Sequence, residues 1–242
     1  MKNNYKTLVH EYMANFDLNF IFNKIQNTRN QIYFIGGSSR AIILQDFKSH
    51  DIDIVVPKIT NDTIALLKKD FSISLNNHYK SLSFKYNNLD IQISSFRKDI
   101  NHYGRQAKVE LAETIEIDAI RRDLTFNSIY INPLGEISDF YSGEMDLLNS
   151  TLRFLGNPIE QIQEDYLRAI RYIRFLSLFE KPASFQEDVD AIKMLSKNIT
   201  DFVKPDKIRQ EISKISQMSH PKNSYNFIKE NKELFFLKDF LN

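Results

Sequence analysis

Between Ile32 and Val56 the chain reads I-Y-F-I-G-G-S-S-R-A-I-I-L-Q-D-F-K-S-H-D-I-D-I-V-V. This stretch limits the fold more than any other, because it predicts strand, glycine turn, short helix and second strand in close succession. Ile32–Ile35 is a short apolar, β-favouring run that fits a buried strand. Gly36-Gly37 lets the backbone turn sharply and approach a ligand with no Cβ in the way. Ser38 or Ser39 is placed to cap a helix from Arg40 to about Phe47. The free N–H groups of such a helix start form a phosphate seat, to which Arg40 adds a cation. Asp51 to Val56 then reads as a strand, and alternate strand residues share a face, so the Asp51 and Asp53 carboxylates point the same way. Two convergent carboxylates beside a phosphate seat suit Mg²⁺, which binds one or two carboxylates plus substrate phosphates. Metals held there can activate an attacking hydroxyl and stabilise a leaving pyrophosphate. The plainer alternative is a solvated strand end preceded by a loop.

The remaining sequence sets wider bounds. A chain of 242 residues can bury a sizeable core in one or two domains. It has no cysteine, which excludes disulfides, thiolate zinc sites and a cysteine nucleophile, and suits a reducing, cytoplasmic setting. No apolar run approaches membrane-span length and the N-terminus lacks a signal-peptide pattern, so no membrane partner is expected. The net charge is +1, so any contact with nucleic acid must come from local basic patches.

In chain order, residues 1 to about 30 predict a helix with Leu8, Tyr12, Phe16, Phe20 and Phe22 at near-helical spacing, packed on the sheet. Pro57 ends the second strand, and Asn61–Lys69 predicts a helix capped by Asn61 or Thr60. Ser81–Tyr86 and Leu89–Phe96 predict a hairpin, because Asn87-Asn88 tolerates the left-handed conformation of a tight turn. Arg97–Val109 reads as a polar loop. Ile120–Ser128 carries Arg122, which can bind a phosphate, and Asp123 and Asn127, which can hydrogen-bond ribose hydroxyls. Taken alone, Arg-Arg-Asp is better explained by a surface ion cluster. Pro158–Phe179 predicts one long helix with an apolar stripe of Ile159, Ile162, Tyr166, Ile170 and Ile173. Asp165, Arg168, Arg171 and Arg174 fall three apart, which also fits a ladder of exposed ion pairs. Lys204–Glu211 opens a further helix with Pro205 at its start.

These motifs resemble the nucleotidyltransferase superfamily that includes DNA polymerase beta. More narrowly, G-G-S-S-R-A followed by D-I-D-I-V is similar to the G-G-x-V-R-D … D-x-D pattern of class II tRNA nucleotidyltransferases and bacterial poly(A) polymerases. R-R-D-L-T-F-N resembles their R-R-D-F-T-x-N, and E-D-Y-L-R-A-I-R-Y-I-R-F their E-D-x-x-R-x-x-R-x-x-R-F. The resemblance implies an α+β fold: a nucleotidyltransferase head over 1–142, then an all-helical neck and partial body over 143–242. It implies Mg²⁺ on Asp51 and Asp53, the catalytic pair. Gly37 and Arg40 would seat the triphosphate, and Arg122, Asp123 and Asn127 would hold phosphate and ribose. Asp165 and Arg168 would read the base edge, with Arg171 and Arg174 supporting them. The implied reaction is template-independent addition of C and A, from CTP and ATP, to a tRNA 3′ end.

Two departures stand against the pattern. The family's Asp after the Arg is Ala41, and its third acidic strand position is Gln92; Asp90, two residues earlier, is either a substitute ligand or part of a hairpin turn. The segment after Phe96 resembles the family's flexible loop, and Ile137–Gly143 its head-to-neck turn, with Asp139 structural. Family members commonly continue further, into parts that grip tRNA. The Lys193, Lys197, Lys204, Lys207 and Lys214 series, a homodimer or a partner chain would then replace that grip, or the chain is a fragment. The alternatives are a poly(A) polymerase, an enzyme adding only CC or only A, and a non-catalytic nucleotide- or RNA-binding module.

Overall fold

A computed structural model describes residues 4–28, 30–103 and 106–241. The chain forms two compact units. The first comprises 1–100, 108–122 and 126–144, and the second 101–107, 123–125 and 145–242.

The first unit is α+β. It begins with α1 (Tyr5–Asn15) and α2 (Asn19–Gln26), separated where Asp17 adopts a positive φ of 52°. The single N-terminal helix expected from spacing is therefore two, and Phe20 is 45% exposed rather than packed on the sheet. Then follow β1 (Tyr33–Phe34), α3 (Gly37–Leu44), β2 (Asp51–Val56), α4 (Asn61–Leu67), β3 (Ser74–Asn76), β4 (Ser81–Tyr86) and β5 (Leu89–Ser95). Next are the first-unit parts of β6 (Arg97–Tyr103) and β7 (Gln106–Leu111), then α5 (Ile115–Ile120), β8 (Tyr130–Ile131), β9 (Ile137–Ser138) and the start of α6 (Gly143–Leu148).

Seven strands form one sheet in the order β3-β4-β5-β2-β1-β8-β9. β2 and β5 run parallel, and the other ladders are antiparallel. Ile52, Ile54, Ile91 and Ile93 are buried on one face of the central pair, which follows from strict alternation along D-I-D-I and D-I-Q-I. The β4–β5 hairpin turns as expected, with Asn87 at φ 53°. Thr60 caps α4 by accepting the Thr63 N–H at 3.1 Å, a contact worth about 1 kcal/mol. One expectation changes and one, the structural role of Asp139, holds. The segment after Phe96 is not a loop but the two-stranded β6–β7 sheet, although Gly104 and Arg105 lie outside the described residues. The Asp139 carboxylate accepts the N–H groups of Gly143 and Glu144, both at 2.9 Å, and so fixes the start of α6.

The second unit is mainly helical. β10 (Thr151–Leu152) pairs in parallel with β11 (Ala183–Ser184). Its helices are α7 (Pro158–Glu164), α8 (Leu167–Phe175), α9 (Gln186–Met194), α10 (Ser196–Phe202), α11 (Pro205–Ser213) and α12 (Pro221–Glu230), with a 3₁₀ stretch over Lys232–Phe240. Ile162, Ile170, Ile173, Ile192, Ile199 and Ile228 are fully buried. The long helix expected from Pro158 is broken: Asp165 is extended at φ −149°, ψ 102°, and its carboxylate accepts the Leu167 N–H at 3.0 Å to start α8. A short side-chain acceptor that caps one helix competes with continuing the previous one.

One backbone contact in the first unit is unusually tight. Gly135 has φ +80°, and a Cβ there would lie 2.3 Å from the Lys6 nitrogen and 2.5 Å from its Cα. Because the obstacle is backbone at the start of α1, Gly135→Ala is expected to destabilise the protein by about 2–4 kcal/mol, read as a lowered Tm; an unchanged Tm would refute this packing.

Candidate active site

The centre of the first unit is built by the glycine turn and β2. Gly36, at φ 58°, precedes α3, and the Gly37 N–H donates to Asp53 Oδ2 at 3.0 Å. A Cβ at Gly37 would stand 3.0 Å from that oxygen, so glycine is what permits the approach. The expected serine cap is absent. α3 begins at Gly37, with Ser38 and Ser39 inside it. The Ser38 hydroxyl accepts the Asp53 N–H at 2.8 Å and the Tyr12 hydroxyl at 3.1 Å, and the Ser39 hydroxyl donates back to Gly36 O. The phosphate seat is thus partly used by the protein, since the Gly37 N–H goes to Asp53 and the Ser38 N–H to Ile35 O.

Asp51 and Asp53 lie on one face of β2 as predicted. Asp51 is exposed and Asp53 is largely covered. Burial pushes the Asp53 carboxyl above its ordinary value; the Gly37 N–H and the charges of Arg40 and Arg122 counter this in part, while Asp51 adds to it. Parallel pairing sets Asp51 beside Asp90 and Asp53 beside Gln92. Asp90 is therefore in a strand, not a turn, and its carboxylate is 3.2 Å from Lys85 Nζ on β4. Among the described residues no three His, Cys, Asp or Glu side chains group as a metal cage. The donor set is two carboxylates, which fits an ion that takes its other ligands from phosphate and water.

Two cations flank this pair. Arg40 bonds the Asn127 side chain through Nη1 and sits over the Phe126 ring, 5.9 Å from its centroid. Arg122 donates from Nε to the Tyr130 hydroxyl at 3.0 Å and from Nη2 to Asp118 at 2.9 Å.

In the second unit, Asp123 is buried. One of its carboxylate oxygens accepts the Leu124 N–H at 2.9 Å and the other accepts Arg171 Nε at 2.7 Å. Asp123, with Glu211 and Asp165 adding to it, holds the Arg171 guanidinium above its ordinary value against the opposing effect of burial. Arg168 is buried and donates from Nη1 to Gln161 O at 3.2 Å, to the Gln161 side chain and to Glu164 at 2.7 Å. Arg174 lies 2.9 Å from Glu211. The three arginines are thus not an exposed ladder: each is held by a different acid.

Sequence reading missed Gln161, Glu211 and Asp118, and named Glu164 only as part of the E-D-Y-L-R motif, without its partner. The i, i+4 spacing of Glu164 to Arg168 and of Asp118 to Arg122 was the available signal. Glu211 had none, being 37 residues from Arg174.

Because burial raises Asp53, the folded state holds its proton more tightly than the unfolded chain does. That contribution favours folding below the unfolded value and is lost as pH rises through the folded one. Ionised Asp53 therefore costs stability. Asp53→Asn keeps an acceptor for the Gly37 N–H. With metal absent, it is expected to raise Tm by a few degrees at about pH 8, with the gap closing towards about pH 4. A Tm below wild type at the higher pH would contradict the electrostatics described.

Residues 32–153 match the profile of the Poly A polymerase head domain. The chain is 28% identical over 224 residues to the CCA-adding enzyme of Staphylococcus epidermidis, covering 91% of this chain and 54% of that protein. It is 31% identical over 200 residues to human mitochondrial CCA tRNA nucleotidyltransferase 1, covering 79% and 45% respectively. Its fold matches the crystal structure of the Bacillus stearothermophilus CCA-adding enzyme in complex with CTP at a TM-score of 0.73 and 19% identity, over 97% of this chain and 53% of that one. The chain thus spans about half the length of the curated relatives it matches.

Proposed function

The chain belongs to the Poly A polymerase head domain family, and from that membership we propose that it is a template-independent nucleotidyltransferase acting on RNA 3′ ends. The reading is addition of C and A, from CTP and ATP, to a tRNA 3′ end. The observation that carries it is the placement of Asp51 and Asp53 on one strand face, with Asp53 held by the Gly37 N–H and within the fields of Arg40 and Arg122.

In this reading the primer's terminal hydroxyl attacks the α-phosphate. A P–O bond to the primer forms, the α–β phosphoanhydride bond breaks, pyrophosphate leaves and the hydroxyl proton is lost to solvent. Asp51 and Asp53 would hold Mg²⁺, which when bound supplies charge neutralisation on the triphosphate and activates the attacking hydroxyl. Gly37 and Arg40 orient the triphosphate, and Arg122 adds a second cation. Asn127, bonded to Arg40, and Asp123, bonded to Arg171, are assigned to the ribose. Asp165 and Arg168 are assigned to the base edge, and the Gln161–Glu164 frame around Arg168 supports a fixed orientation suited to discrimination. Arg171 and Arg174 support the site. The chemistry rests on positioning and charge stabilisation. A cytoplasmic setting and a tRNA grip by the neck lysines, a homodimer or a partner chain belong to the same proposal.

Ala41, Gln92 and the pairing of Asp90 with Lys85 favour one second reading, a module that binds nucleotide or RNA without turnover. Single-nucleotide extension separates the two. With Mg²⁺ and tRNA transcripts ending before CCA, after C or after CC, ordered addition of C, C and A is expected. Asp51→Ala with Asp53→Ala is expected to lower turnover by roughly 10³-fold or more. C alone, A alone or a long A tract would reassign the product; binding of CTP or ATP without incorporation would favour the module.

A further inference from the structure

Asp118, on α5, is fully buried, and no step of the proposed reaction uses it. Its Oδ1 accepts the Arg97 N–H at 2.9 Å, Arg121 Nε at 3.0 Å and Arg121 Nη2 at 2.7 Å. Its Oδ2 accepts Arg122 Nη2 at 2.9 Å and the Tyr130 hydroxyl. That hydroxyl in turn accepts Arg122 Nε at 3.0 Å. Asp118, Arg122 and Tyr130 therefore close a ring of hydrogen bonds around one edge of the guanidinium. Burial alone would push Asp118 up, but Arg122 and Arg121 overcome it and hold the carboxyl well below its usual range. The ring fixes the plane of Arg122 and occupies Nε and Nη2; Nη1 makes no hydrogen bond among the described residues. The charge of Arg122 is also felt at Asp53.

We propose that Asp118 is a positioning residue: with Tyr130 it locks Arg122 so that Nη1 is presented to the triphosphate of the incoming nucleotide. The same carboxylate takes the backbone N–H of Arg97, the first residue of β6, so this strand and Arg122 share one anchor. The inference rests on the proposed function through the assignment of Arg122 to phosphate. A purely structural ion cluster would act differently. Its loss would lower stability and weaken all ligands alike, whereas loss of a lock on Arg122 selectively weakens ligands that carry phosphate.

The test measures equilibrium binding of CTP and of cytidine to wild type, Asp118→Asn, Tyr130→Phe, Arg122→Ala and the Asp118→Asn/Arg122→Ala double variant. Asp118→Asn is expected to weaken CTP about ten-fold, the size of one charge-assisted hydrogen bond, and to leave cytidine within about two-fold. It is expected to add nothing in the Arg122→Ala background. Tyr130→Phe keeps the ring packing and removes the hydroxyl's two bonds, to Asp118 and from Arg122 Nε, while the direct Arg122–Asp118 bond stays; it is expected to weaken CTP about three-fold, and it decides the matter if Asp118→Asn does not fold. Wild-type CTP affinity in folded Asp118→Asn or Tyr130→Phe, or equal losses for CTP and cytidine, would overturn the positioning role while Arg122→Ala still weakened CTP. Unchanged CTP binding in Arg122→Ala would instead remove the phosphate assignment of Arg122, and this inference with it.

Discussion

The hydrogen bond from the Gly37 N–H to Asp53 is the contact on which the first unit's centre depends. It ties the start of α3 to the middle of β2, and the Ser38 hydroxyl repeats the tie by accepting the Asp53 N–H. Both bonds need a backbone that comes within contact of a carboxylate, which a side chain at Gly37 would obstruct. Asp53 is thereby covered, and that burial raises its proton affinity even though the Gly37 N–H itself lowers it in part, while Asp51 at the strand start stays exposed. A carboxylate held against its own desolvation is costly for folding and suited to meeting a cation, a common trade at functional sites.

A second theme is that every arginine of the proposed site is aimed by another residue. Arg40 is held by Asn127, Arg122 by Asp118 and Tyr130, Arg168 by Gln161 and Glu164, and Arg171 by Asp123. Planar guanidinium groups fixed at one edge present the other with little entropy left to lose. For phosphoryl transfer, where positioning and charge carry the rate, such support is as consequential as the residues that touch substrate.

The sequence made the sheet's centre legible because D-I-D-I and L-D-I-Q-I alternate strictly, and a one-residue slip would expose every isoleucine. The Asn87 turn and the helix at Pro205 followed from local chemistry in the same way. The α7–α8 break did not, because the apolar stripe runs through Asp165 without interruption, yet Asp165 is extended and its carboxylate and carbonyl accept the Leu167 and Arg168 N–H groups. The β6–β7 strands were hidden by polar composition. The serines after Gly37 looked like caps, yet Ser38 spends its hydroxyl on Asp53 and Tyr12, partners distant in sequence. Motif spacing brought Arg122 and Asp123 into view. Asp118 had only its i, i+4 spacing to Arg122 as a signal, and only tertiary structure brings Glu211 to Arg174.

The central claim is that Asp51 and Asp53 form a two-carboxylate site completed by the phosphates of a nucleotide. Titration of Mn²⁺ in place of Mg²⁺, followed by electron paramagnetic resonance with and without CTP, tests it directly. Weak Mn²⁺ binding alone that tightens at least about ten-fold when CTP is present, and is lost in Asp51→Asn/Asp53→Asn, is the predicted result. Mn²⁺ binding that is indifferent to CTP, or that survives in the double variant, would contradict it.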